Sequence, residues 1–153
     1  MTTELLSQLW QMSQAASQGP IRKLTADNYR NRLTPETASA GFIALHTAES
    51  MHRMASLLFG HEISIPLQAT GGVSDEGKPL DLASIQQLVS DSFAMVAHHI
   101  QQTSDDQWAE IIPSPFGEVP RMQVLSFLMH HNSYHAGQIA QAIKKGKEFS
   151  LVI

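Results

Sequence analysis

His131 and His135 stand four residues apart in the segment MHHNSYHAGQI. On a helix that spacing puts both side chains on one face, with Cβ atoms about 5–6 Å apart. Two imidazoles so placed can share one divalent ion, each at a bond length of about 2 Å. The same spacing suits two core histidines that only hydrogen-bond to their surroundings, so the pair alone leaves both readings open. Asn132 follows His131, which excludes the HExxH zinc-protease arrangement with its glutamate base. His46 lies near Phe42, Ile43 and Ser50 on the apolar stripe of another segment, and joins the pair if the two helices are neighbours. Three neutral nitrogens on one ion leave a position for water or substrate, as catalytic sites do. Water there ionises near pH 7; a low-molecular-weight thiol there is held as a thiolate. No general base accompanies the three histidines, which mildly favours thiol chemistry over hydrolysis. The chain has no cysteine, which fits a sulfur nucleophile supplied by a cosubstrate. A non-catalytic metal-binding or interaction module is the alternative, and it predicts a closed site. An enzyme predicts a cavity lined by residues 61–80 and 105–119.

Other residues could support these three. Glu49 follows His46 by three positions, close enough to approach the ion or to hold a ligand ring. Gln138 and Tyr134 offer polar contacts near the pair, and His99 ranks first among the remaining histidines as a supporting group. The others, His52, His61, His98 and His130, read as ordinary loop, helix-end or surface residues. Gly137 interrupts a helix at a cost of about 1 kcal/mol relative to Ala, which points to a neighbouring helix or a ligand close to its backbone.

The elements that must position these residues are helices. Leu5, Leu9, Met12 and Ala16 recur at helical spacing until Gly19-Pro20 stops the pattern. Thr25 to Arg32 forms a connective turn. Thr34-Pro35-Glu36 predicts the start of a second helix, whose stripe of Phe42, Ile43, His46, Ser50, Met54, Leu57 and Leu58 runs to Gly60. Residues 61–80 contain Pro66, Gly71, Gly72, Gly77 and Pro79 and form a loop. Asp81 caps a third helix carrying Leu82, Ile85, Val89, Phe93, Val96 and Ile100, ending near Ser104. Asp105 to Val119 reads as a partly extended loop with apolar anchors at Trp108, Ile111, Ile112 and Phe116. Pro120 opens a fourth helix with Leu125, Leu128, His131, His135, Ile139 and Ala142 inward; Lys144, Lys145 and Gly146 end it. The apolar tail from Phe149 to Ile153 is expected to dock on the domain or on a neighbour. Four helices with two long connections describe an all-α four-helix bundle with crossover connections, in one domain over residues 1–153.

Composition narrows the class. A chain of 153 residues with 42% hydrophobic and 16% charged residues is globular. A net charge of −4 with scattered basic residues argues against nucleic acid as a partner. No apolar run reaches the roughly 20 residues that cross a bilayer, and the N-terminus lacks a signal-peptide pattern. We read the chain as cytoplasmic, with no membrane partner.

The segment from His131 through His135 to Gly137-Gln138-Ile139, an HxxxHxGQI pattern, resembles the fourth-helix signature of the DinB-like (DinB/YfiT-like) metal-dependent bundle proteins. Ile43-Ala-Leu-His46-Thr-Ala-Glu49 resembles that family's second-helix histidine, and the likeness covers essentially the whole chain. It implies an up-up-down-down bundle, often a homodimer, with His46, His131 and His135 binding nickel, zinc or another divalent ion. The Gly-Gln spacing selects His131 rather than His130. Several members of that family are transferases or isomerases that use bacillithiol, mycothiol or glutathione, which implies a small-molecule substrate. Val119 departs from the capping residue more usual there, a difference that touches the helix start and not the site.

Overall fold

The computed structural model describes residues 1–150. Helix α1 spans Thr2–Arg22, α2 Ala40–Phe59, α3 Leu82–Gln102 and α4 Arg121–Lys145. Between α3 and α4 lie a 3₁₀ turn, Asp105–Ala109, and an antiparallel hairpin of β1, Ile111–Ser114, and β2, Gly117–Pro120. The stretch read as a partly extended loop is therefore ordered. Trp108 is fully buried and donates its indole N–H to Thr3 Oγ1 at 2.9 Å, closing that end of the bundle. Of the expected anchors, Ile112 is buried, whereas Ile111 and Phe116 are exposed.

Each helix packs on two others, in the ring order α1, α4, α2, α3. At the hairpin end, Thr3 at the start of α1 donates to the Thr103 carbonyl just past α3. There too Arg121, opening α4, donates to the Leu58 carbonyl near the end of α2. At the opposite end Gln86, early in α3, donates to the Leu24 carbonyl just past α1, and Arg32, leading into α2, pairs with Lys147 just past α4. The helices thus run up, down, down, up, which corrects the up-up-down-down order. The link 23–39 spends its length on local turns, such as Thr25 to Tyr29 and Thr34 to Thr37, and delivers the chain to α2 at the end it left. The link 60–81 has no helical turns to consume its reach, so it can span a helix length of about 30 Å.

Local boundaries differ from expectation for identifiable reasons. α1 continues through Gly19-Pro20 to Arg22, because a proline in the last turn forfeits little and Ile21 is anchored in the core at 2% exposure. The spaced residues Leu5, Leu9, Met12 and Ala16 face outward, while Trp10, Ser17, Gln18 and Ile21 are buried. α2 begins at Ala40 rather than Thr34, since Thr34 and Thr37 close a turn on each other and Ser39 Oγ accepts the Phe42 N–H as the cap. Asp81 holds the N-cap position of α3, but its carboxylate accepts from the Ser84 hydroxyl instead of the backbone.

The core runs through Trp10, Met51, Leu58, Phe93, Leu125 and Leu128, all fully buried, each contributing about 1.5–3 kcal/mol. α2 is the most enclosed helix: Ala44, Ala48, Met51, Ala55 and Leu58 form its central line. His46 flanks that line. Gly146 ends α4 where a Cβ would lie 2.5 Å from the Arg32 carbonyl oxygen, so the backbone pairing of Arg32 with Lys147 requires glycine there. Of the apolar tail, Phe149 lies under the Lys147 ammonium; Leu151 to Ile153 lie outside the described residues.

Candidate metal centre

α2 and α4 are antiparallel neighbours, and their facing surfaces bring His46, His131 and His135 together. His131 Nε2 lies 3.3 Å from His46 Nε2 and 3.1 Å from His135 Nε2. Nitrogens bound to one ion at about 2.0–2.1 Å are held about 3 Å apart, so these separations are those of ligands to a shared ion. Among the described residues no other group of three histidines or carboxylates converges in this way. The buried line of α4 is Leu125, Leu128, Asn132, Ala136 and Ile139. His131 and His135 sit beside it, half-buried, rather than on it as the sequence stripe placed them. A position at the flank of the core keeps the nitrogens within reach of solvent.

The surroundings fix which nitrogen two of the rings present, while His131 Nδ1 is buried without a partner. His46 donates its Nδ1–H to the Ala69 carbonyl at 2.7 Å. His135 donates its Nδ1–H to Gln138 Oε1, also at 2.7 Å. Both rings thereby keep an Nε2 lone pair directed at His131, which is how the outer partners of metal-binding histidines orient them. Ser50, one turn after His46, brings its hydroxyl to 3.4 Å from His46 Nε2. Burial foremost, and then the neighbouring charges of His135 and His46, lowers the His131 pKa to about 4. Burial lowers that of His135 as well. Imidazoles that resist protonation suit a cation. The nitrogen set, its spacing and the tautomers of His46 and His135 fit a divalent ion.

Glu49 is fully buried and does not face the three nitrogens. Its Oε1 accepts the backbone N–H of Gln68 at 2.7 Å and of Ala69 at 2.9 Å, and the Thr70 hydroxyl at 3.2 Å. It therefore pins the backbone whose carbonyl holds His46. Sequence spacing placed Glu49 near the site, but the intermediary loop segment was not legible. Tyr134 is exposed and touches only the rim, its ring 5.3 Å from that of His135. His99 belongs elsewhere: its Nε2 lies 3.0 Å from His61 Nδ1 and its ring stacks on Phe59. His52 completes that cluster between α2 and α3, buried and bonded to Ser92 Oγ at 3.0 Å, with its ring 5.4 Å from that of His61. Gly137 is exposed with nothing within 4 Å of a built Cβ, so no neighbour explains it.

Two recesses flank the three histidines. One, of about 330 Å³, meets His46 and His135 and is walled by Leu33, Ala38, Phe42, Ile43 and Ala142. The other, of about 300 Å³, meets His131 and Ser50 and includes Arg53, Met54, Leu57 and Phe127. The expected loops contribute little: residues 61–80 line neither recess, and from 105–119 only Pro115 enters the second. The segment leading into α2 does that work, because its late helix start leaves 33–38 folded over the site.

The DinB family profile matches residues 1–146. The chain belongs to the DinB family. Its fold is similar to a crystal structure of a DinB-like protein from Bacillus cereus ATCC 10987, with a TM-score of 0.75 and 18% identity, covering 99% of this chain and 100% of that one. No curated protein compared with the chain matches it. No helix among the described residues is long and apolar enough to cross a membrane.

Proposed function

We propose that this DinB-family chain is a metal-dependent enzyme of the thiol-transferase or hydrolase type. His46, His131 and His135 hold one divalent ion, nickel or zinc, through Nε2. The observation that supports this reading is the opening of the three nitrogens onto two recesses, where a closed structural site would be walled in. When bound, the ion supplies Lewis acidity that lowers the pKa of a thiol or water beside it. The chain's own residues do the rest. The Ala69 carbonyl and Gln138 hold the rings, and the apolar wall of Phe42, Ile43 and Ala142 excludes water from an electrophile. In transfer, the thiol proton passes to solvent, sulfur bonds to the electrophilic carbon, and the leaving group departs with its electron pair. Among the described residues no carboxylate or further histidine joins the three nitrogens, which favours thiol transfer over hydrolysis. Failing turnover, the chain is a metal-binding module.

Elemental analysis of the purified protein beside His131→Ala and His135→Ala tests the ion; equal metal content in all three refutes it. Low-molecular-weight thiols with a generic electrophile, run beside an ester and amide panel, test the reaction, and silence in both panels leaves the non-catalytic module. The proposal extends to a cytoplasmic homodimer without nucleic-acid or membrane partners. The exposed side of α1, with Leu5 56% and Met12 71% exposed, offers an apolar face for a second copy. Sedimentation equilibrium should give a dimer that Leu9→Asp with Met12→Asp converts to monomer; a monomeric parent protein rules the dimer out.

A further inference from the structure

His46, Ser50 and Arg53 follow one another at helical spacing along a single face of α2. The first presents a nitrogen to the candidate metal centre, the second sets its hydroxyl beside that nitrogen, and the third stands in the recess that His131 also lines. Arg53 differs from every other arginine in the chain. Arg32 is paired with Asp75 and Arg121 with Glu110, Arg30 lies against Glu148 and over Tyr29, and Arg22 donates to Gln18. Among the described residues Arg53 makes no hydrogen bond or ion pair. Its guanidinium nitrogen lies 3.7 Å from where a Cβ on Gly71 would be, so the crossover loop backs it from one side. Met54, Leu57, Pro115 and Phe127 supply the remaining, apolar wall. Arg53 is itself exposed at the mouth of this recess, where its planar fork is open to an anion. The recess on the other side of the histidines contains no charged residue.

We infer that the two recesses divide the substrates by charge. The His131 recess receives a carboxylate carried by the small-molecule thiol, with Arg53 as the residue that selects it, and the uncharged recess beside His135 receives the apolar electrophile. This rests on the proposed thiol-dependent reading of the centre. Guanidinium and carboxylate match in a bidentate geometry that lysine does not reproduce, so Arg53 sets specificity for the anionic end and takes no part in the chemistry at sulfur.

The experiment measures binding rather than turnover. Cobalt(II)-loaded protein is titrated with 3-mercaptopropionate and with its neutral amide, following the sulfur-to-metal charge-transfer band. In parallel, the Arg53 Nε–H resonance of zinc-loaded protein is followed with propionate, which has no sulfur. The acid should bind about tenfold or more tightly than the amide. That ratio should collapse in Arg53→Gln and recover only partly in Arg53→Lys, with metal content equal in all three proteins. Propionate should shift the Arg53 resonance. If neither thiol gives the band while propionate still moves that resonance, the thiol reading fails and the anion recess stands. A resonance indifferent to propionate, or a ratio unchanged in Arg53→Gln, overturns the recess whatever the thiols do.

Discussion

At the residue scale the centre depends on groups that do not touch it. Glu49 holds two backbone N–H groups and a hydroxyl with one oxygen, and the carbonyl next to those amides sets the His46 ring. Glu49→Ala should cost about 3 kcal/mol, because buried amides lose their acceptor, and should weaken metal binding about 10- to 100-fold. Chelator competition measures the second effect; wild-type affinity in the variant would break the link between Glu49 and His46. The His131 ring gives a second expectation. Its pKa of about 4 in the fold lies below its ordinary 6.5. Between those values the unfolded chain binds a proton that the folded chain refuses, so stability of the metal-free protein is full above about pH 6.5 and declines as pH falls toward 4. The lowered pKa of His135 acts in the same direction. Urea midpoints at pH 7, 5.5 and 4.5 should fall, and should fall less steeply in His131→Gln; equal slopes would dismiss His131 as the source.

At the scale of elements, two glycines with opposite surroundings, one inside α4 and one just past its end, separate packing from propensity. Gly137 is exposed and uncrowded, so Gly137→Ala should stabilise by up to about 1 kcal/mol. Gly146→Ala should destabilise, since its Cβ would collide with the Arg32 backbone. Thermal unfolding of both variants checks this, and a shift of the same sign in both would contradict it. The same contrast explains what could be read beforehand. α3 and α4 were legible because their apolar periodicity is regular and, in α4, Lys144 and Lys145 followed by Gly146 mark the end. The pairing of His131 with His135 needed only helix geometry, but their meeting with His46 needed the adjacency of α2 and α4, which no local pattern encodes. The start of α2 was misplaced because Thr34-Pro35-Glu36 is equally good chemistry for a turn. The hairpin escaped because its strands are only four residues each, and α1 misled because its most regular apolar positions face out while Trp10 carries its burial. His99 was placed near the wrong histidines for the same reason: which helix faces lie opposite each other is a tertiary fact.

For the whole molecule, an ion held by His46, His131 and His135 in the folded state alone would tie α2 to α4. With free metal at a hundred times its dissociation constant, linkage adds about 2.7 kcal/mol, which for a chain of this length raises Tm by about 5–10 °C. Calorimetry with added zinc or nickel against a chelator should show that rise in the wild type and not in His131→Ala; equal melting would remove the ion from the account. The one connection that runs the length of the bundle, 60–81, carries the Ala69 carbonyl that holds His46. That acceptor is main chain, so any side chain small enough for the nearly inaccessible position 69 leaves it in place. A saturation mutagenesis survey scored on metal retention would therefore register this contact at Glu49, some twenty positions upstream, and pass over small replacements at the residue that makes it.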